Sequence, residues 1–239
     1  MLYARTDPEL SALYRELLDE ELRGRVLDTA NRFCCTSEAA CRTSVRNDGF
    51  AAGQLSYVGD HYAAESAGQP LRILIVSMQV GDDEAPVTMA RRRDQIRGRI
   101  PETFGERNQH MAGVTTALRL LYGGDPGDDP TGEALSTQAG PVHVLDAYAM
   151  ANSVLCSRRP GAGREGAPSS VMIANCARHL RATIETLQPT VIHSQGRAQQ
   201  GSTHQAIERI ADQIRPVDEH VAHITIGDVE AIWCSLKHP

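Results

Sequence analysis

The run Leu71-Arg-Ile-Leu-Ile-Val-Ser77 constrains the fold more than any other stretch of the chain. It is nearly continuous in aliphatic and β-branched side chains and shows no apolar/polar alternation. A strand of that kind is buried on both faces, which is the condition inside a parallel sheet flanked by helices. It runs into Met78-Gln-Val-Gly81, a glycine-containing turn followed by Asp82, Asp83 and Glu84. Ligands in open α/β sheets gather at the carboxyl ends of the strands, so this turn is a first candidate for a site.

Apolar residues at helical spacing predict an amphipathic helix over residues 8–32, carried by Leu10, Leu13, Leu17, Leu18, Leu22 and Leu27. Further helices are predicted over 109–122, over 171–187 and over 203–214, the second stopped before Pro189 and the third striped by Ile207, Ile210 and Ile214. Residues 88–99 read as a helix or a basic surface loop, and 42–70 as irregular connection. Other strands are predicted at 142–146, at 190–194 and near the end at 231–236, this last preferred to 221–226. Strands separated by helices define an α/β chain. The expectation is a three-layer α/β/α sandwich around a central, mostly parallel sheet of four strands. The 239 residues suffice for one such domain with a well-buried core. Residues 1–70 would supply a helix and a cysteine segment, and residues 71–239 the α/β core.

No apolar run approaches the ~20 residues of a membrane span, and the N-terminal Met-Leu-Tyr-Ala-Arg-Thr-Asp has no apolar signal core. A cytoplasmic monomer with no membrane partner is expected. The net charge of −6 argues against a broadly basic nucleic-acid face. A local patch, Arg91-Arg-Arg93 with Arg97 and Arg99, reads either as a solvated helix face or as a phosphate contact.

The six cysteines are unevenly spread: Cys34, Cys35 and Cys41 fall within eight residues, and Cys156 and Cys176 flank one loop. Structural disulfides are not expected in a reducing compartment. Thiolates grouped this way suit zinc or an iron–sulfur cluster, with buried free thiols as the alternative. Cys234 lies in an apolar stretch and reads as core. Asn152 stands four residues before Cys156. Its side chain offers one acceptor oxygen and one donor group, which serve equally to read a base or to close a turn.

Taken in order, Asn152, Cys156, Arg158-Arg-Pro160, Cys176, Leu187-Gln-Pro-Thr-Val-Ile192, Gly196 and His238-Pro239 resemble the uracil-DNA glycosylase superfamily, most closely its iron–sulfur branch, family 4. The resemblance spans about Leu71 to Pro239 plus the cysteines near residue 35. It implies a DNA repair enzyme that hydrolyses the N-glycosidic bond of uracil in single- or double-stranded DNA. Asn152 would read the base: uracil presents a donor at N3 beside an acceptor at O4, and cytosine presents the reverse. A [4Fe–4S] cluster would be held by Cys41, Cys156, Cys176 and one of Cys34 or Cys35, with Cys35 taken as the fourth ligand.

Iron–sulfur members read Gly-Glu-Ala-Pro-Gly where this chain reads Ser77-Met-Gln-Val-Gly81. That stretch is closer to the Gly-Met-Asn-Pro-Gly of single-strand-selective uracil glycosylases. By that likeness Gln79 would position the attacking water, and the backbone around Met78 and Gly81 would hold the base. His238 would donate to O2 of uracil as the bond breaks. Phe104 and Tyr148 are the candidates for stacking on the flipped base. The family continues past the His-Pro motif where this sequence stops: either the protein lacks that C-terminal segment or the segment lies beyond this sequence. The two other readings are a diverged, catalytically weak DNA-binding member and an unrelated cysteine-ligated metal or redox protein.

Overall fold

The 73–77 run is buried along its whole length, and two hydrophobic cores form on its two sides. The protein was analysed as a computed structural model, which describes residues 7–30, 32–46, 49–66, 68–78, 87–127, 129–137, 140–158, 167–196 and 201–237. The helices are α1 (Asp7–Leu22), α2 (Glu38–Ser44), α3 (Met89–Arg97), α4 (Gln109–Leu121), α5 (Ser170–Leu187) and α6 (Ser202–Ile210). The first strands are β1 (Phe50–Ala52), β2 (Tyr57–Val58), β3 (Glu65–Ser66), β4 (Gln69–Pro70), β5 (Ile73–Ser77), β6 (Ala134–Thr137) and β7 (Gly140–His143). Then come β8 (Tyr148–Asn152), β9 (Cys156–Arg158), β10 (Val191–Gly196), β11 (Gln213–Pro216), β12 (Val221–Ile226) and β13 (Val229–Lys237).

The fold is mixed α/β, but the central sheet has seven strands, not four, in the order β11-β12-β13-β10-β5-β8-β2. Its middle, β13-β10-β5-β8, is parallel throughout. Antiparallel strands extend it on both sides: β2 beside β8, and β12 and β11 beyond β13. Both end segments, 221–226 and 229–237, are strands, and they form a hairpin. The strand leading to Asn152 is β8; residues 140–143 instead pair with β6 in a separate hairpin, and 144–146 form a 3-10 turn.

Period-two alternation sorts the sheet's side chains. Leu74, Val76, Ala149, Ala151, Ile192 and Trp233 join the core under α1, α5 and α6. Ile73, Ile75, Tyr148, Met150 and Val191 join the core with Ile96 of α3 and Met111, Val114 and Leu118 of α4. Helix α5 starts at Ser169, whose hydroxyl accepts from the Met172 N–H at 3.2 Å. It ends at Gln188, in the left-handed region at φ 49°, one residue before Pro189. Asn108 caps α4 and Thr88 caps α3 in the same way as Ser169.

The basic patch on α3 is divided. Arg93 and Arg97 are tied to Asp60, which Arg15 also reaches, and Arg92 is buried. Arg97 and Arg99 remain exposed, so part of the patch is a solvated face, while Arg92 is withdrawn from it.

A buried ion pair fastens the start of α4 to the 130–133 turn. Both guanidinium nitrogens of Arg107 donate to Glu133, one also reaches the Thr115 hydroxyl at 3.1 Å, and His143 meets the same carboxylate at 2.8 Å. Burial alone would raise the Glu133 carboxyl, but its hydrogen bonds from Arg107 and His143 outweigh this and hold it below the ordinary range. Arg107→Met strands this carboxylate and is expected to destabilise the fold by roughly 3–5 kcal/mol, read as a lower urea midpoint. Adding Glu133→Gln should recover part of the loss. Because the folded carboxyl is depressed, the pair's contribution is present above the ordinary carboxylate range and fades as pH falls through the folded value. A double variant no more stable than Arg107→Met alone would mean that the charge pair is not the source of the effect.

Candidate functional site

Three adjacent parallel strands each bring a buried polar residue to the carboxyl edge of the sheet: Gln195 on β10, Ser77 on β5 and Asn152 on β8. Asn152 is the register partner of Ser77, and the Ser77 hydroxyl reaches Gln195 Oε1 at 3.5 Å. By alternation all three project to the face covered by α3 and α4. His193, one register step back on β10, is buried and neutral at physiological pH, because burial lowers its imidazole to about 4.

Asn152 is 3% exposed, and its geometry is specific. Its Nδ2 donates to the main-chain carbonyl of Gln54 at 3.3 Å. A carbonyl can only accept, so this contact fixes which end of the amide faces Gln54. The other end, Oδ1, is buried with no hydrogen-bond partner. A buried acceptor left unpaired costs on the order of 1–3 kcal/mol, which a donor brought by a ligand would relieve. The oxygen has essentially no contact with solvent in this structure. The following residue closes the strand end: Ser153 N–H donates to the Ser77 carbonyl at 2.8 Å, and its hydroxyl to the Met78 carbonyl at 2.8 Å.

Met78 is thus half-buried at the end of β5, beside Asn152. Gln79, Gly81, the carboxylates at 82–84 and His238 lie outside the described residues. Tyr148 begins β8, four residues and ~13 Å of strand before Asn152. Its ring packs on Tyr57 with centroids 5.3 Å apart, in the core. It is not at the site, which corrects its candidacy for base stacking. Phe104 sits half-buried in a 3-10 turn.

The cysteines separate into two sets. Cys41 on α2, Cys156 on β9 and Cys176 on α5 are buried in one core, and Cys35 packs against it half-buried. Cys34 is exposed, and Cys234 lies on the opposite face of the sheet. The first four are close enough to act on one another. Burial first, then the neighbouring thiols Cys41 and Cys35, push Cys176 up to about 12 and drive Cys156 upward as well, with Cys176 adding to the push on Cys156. N–H groups point at the sulfurs: Leu155 at Cys176 (3.4 Å), the Asn175 side chain at Cys41 (3.5 Å), and Gly53 at Cys156. His179 Nε2 lies 3.9 Å from the Cys35 sulfur.

That donor set fits a cationic group. The buried thiols of Cys156 and Cys176 resist ionisation until positive charge arrives, and N–H donors to sulfur are what an iron–sulfur cluster uses. Among the described residues no three His, Cys, Asp or Glu side chains converge closely enough to hold a single ion. The four thiols share a neighbourhood without that convergence.

Sequence reasoning missed Gln54, Gln195, Arg92 and His179. Gln195 had a signal: extending the strand at 190–194 by one residue and counting by two from His193 puts it on the same face. Gln54 had none, because its partner lies 98 residues away and its own segment has no periodicity.

No protein-family model matches this chain, and no curated protein matches it. Among the described residues no helix is long and apolar enough to cross a membrane.

Proposed function

We propose that the chain is a DNA-base glycosylase that takes a uracil out of the stack and hydrolyses its N-glycosidic bond. The observation that carries this reading is the unpaired, buried Oδ1 of Asn152 at the carboxyl edge of β8. It can accept the N3–H of uracil, while the second hydrogen of Nδ2 is left for O4. Cytosine has no ring N–H there and would leave the oxygen unpaired, a mismatch that buried polar sites reject strongly.

In the reaction the C1′–N1 bond breaks and its electron pair leaves with the base, spread onto O2, while a water oxygen bonds to C1′ and gives up one proton, which the departing base anion finally takes up. Gln79 is assigned to the water and His238 to O2 by their place in the sequence motifs. Cys35, Cys41, Cys156 and Cys176 would hold a [4Fe–4S] cluster in a structural role, joining α2 to β9 and α5. The preference for Cys35 over Cys34 is supported by its position against the core, whereas Cys34 faces solvent. The partner is uracil-containing DNA, and a reducing cytoplasm suits the free thiols.

The test uses anaerobically purified protein and an end-labelled oligonucleotide with one uracil, single-stranded or opposite guanine. Alkali should cut the strand at the uracil, and at neither thymine nor cytosine in the same position. No cut with protein that carries its full iron would end the glycosylase reading.

A further inference from the structure

We propose that Arg92 and Gln54 are positioning residues that lock the amide of Asn152 with its oxygen presented, so that the site selects ligands by a ring N–H. This rests on the base-reading role of Asn152 given above, but not on catalysis.

Gln54 is fully buried and held from several directions. Its N–H donates to the Leu155 carbonyl at 2.7 Å. Its neighbours Gly53 and Leu55 pair with Val87: the Val87 N–H reaches the Gly53 carbonyl at 2.7 Å, and the Leu55 N–H reaches the Val87 carbonyl at 3.0 Å. Gly53 sits at φ 81°, where any side chain would be strained, so the turn that aims the Gln54 peptide favours glycine. From α3, Arg92 Nη2 donates to Gln54 Oε1 at 2.9 Å, and its Nη1 is held by Gln95 Oε1 at 2.8 Å. Arg92 is only 5% exposed.

A buried arginine needs acceptors to be tolerated, and here its acceptor is the residue whose carbonyl orients Asn152. The chain Arg92–Gln54–Asn152 therefore runs from a donor that holds the Gln54 side chain, through the main-chain carbonyl of the same residue, to an amide with one orientation. Turning that amide over would set two acceptors face to face at Gln54. The consequence is a site in which Oδ1 always faces the ligand, able to take N–H and unable to take a ring nitrogen lone pair.

The probe is an oligonucleotide carrying a C-glycosidic uracil analogue, which cannot be hydrolysed, and its N3-methylated counterpart. Binding is read by fluorescence anisotropy, with uracil excision measured in parallel. Wild type should bind the N3–H form about ten-fold or more tightly over the N3-methyl form. Arg92→Met should cut that preference to within about three-fold, while Arg92→Lys, which can still donate to Gln54, should keep most of it. A purely structural role for Arg92 would weaken both probes together and leave the ratio unchanged, which overturns the proposal. If Arg92→Met does not fold, Gln54→Met removes the same contact and must shift the ratio in the same direction. N3–H preference without uracil excision would end the glycosylase reading and leave the relay standing. Excision with an unaltered ratio in the variants would do the opposite. No binding and no excision would end both.

Discussion

Cys176→Ala is expected to abolish iron binding and to leave little folded protein. Cys176 lies in the first half of α5, and it is buried in the same core as Cys41 and Cys156, with Cys35 packed against that core. If the thiols hold a cluster, the binding energy is folding energy, because no such site exists in the unfolded chain. Losing one of four ligands then releases α2 from β9 and α5 together. If they are only buried thiols, the cost is that of a small deleted side chain, on the order of 1 kcal/mol. Cys234→Ala is the internal control: that sulfur is on the other side of the sheet, and its loss should stay near this lower figure. Iron and acid-labile sulfide should be about four each per wild-type chain, with broad visible absorbance that Cys176→Ala lacks. Equal urea midpoints for Cys176→Ala and Cys234→Ala, in colourless protein, would remove the cluster from the account.

The parts of the fold that were legible in the sequence share one property: their local pattern and their burial agree. Residues 71–77 read as a doubly buried strand, and β5 is buried along its length. Helices α4 and α5 carry clean stripes and capping residues, and fell within a residue or two of expectation. The failures came where tertiary context overrode propensity. Tyr-Ala-Met-Ala-Asn has only one strong strand former, yet it is the interior strand β8, paired between β5 and β2, because small Ala149 and Ala151 fit beneath the helices on one face. The more β-branched stretch before it forms a separate hairpin and a 3-10 turn. Ile214 continues the stripe of Ile207 and Ile210 by spacing alone, but α6 stops at Ile210 and Ile214 belongs to β11. A helical stripe and a strand position coincide there, and only the pairing with β12 decides between them.

The candidate site divides in the same way. Asn152 and the cysteines could be singled out because they lie in spaced sequence patterns. The groups that orient them could not. Gln54 acts through its main-chain carbonyl, which any residue carries, and Arg92 looked like one more member of a basic surface run. Its burial depends on α3 packing against β2 and the Gln54 segment that leads into it, a long-range contact with no trace in the local pattern.

Asn152→Ala should slow uracil excision about ten- to a hundred-fold, since two hydrogen bonds to the base are lost and only main-chain contacts and stacking remain. Asn152→Asp is the sharper experiment because its outcome depends on pH. When ionised, the introduced carboxylate is an acceptor on both sides: it faces the Gln54 carbonyl where Nδ2 now donates, and it repels O4 of uracil. Burial and that facing carbonyl both disfavour the charged form, so the introduced group should titrate above the ordinary carboxylate range. Once protonated, it can donate to Gln54 through O–H and accept the N3–H through its carbonyl oxygen, which restores one of the two contacts of the asparagine. Uracil excision by Asn152→Asp should therefore be lost in mildly alkaline buffer and partly return in mildly acidic buffer, relative to wild type at each pH. The ionised form can accept from the N4 amino group of cytosine, so any trace of cytosine excision should follow the opposite trend. Oligonucleotides with uracil, cytosine or thymine at one position, cut with alkali across that pH range, measure both. A uracil rate in Asn152→Asp that parallels wild type at every pH would place the reading group elsewhere and return Asn152 to the role of a strand-end asparagine.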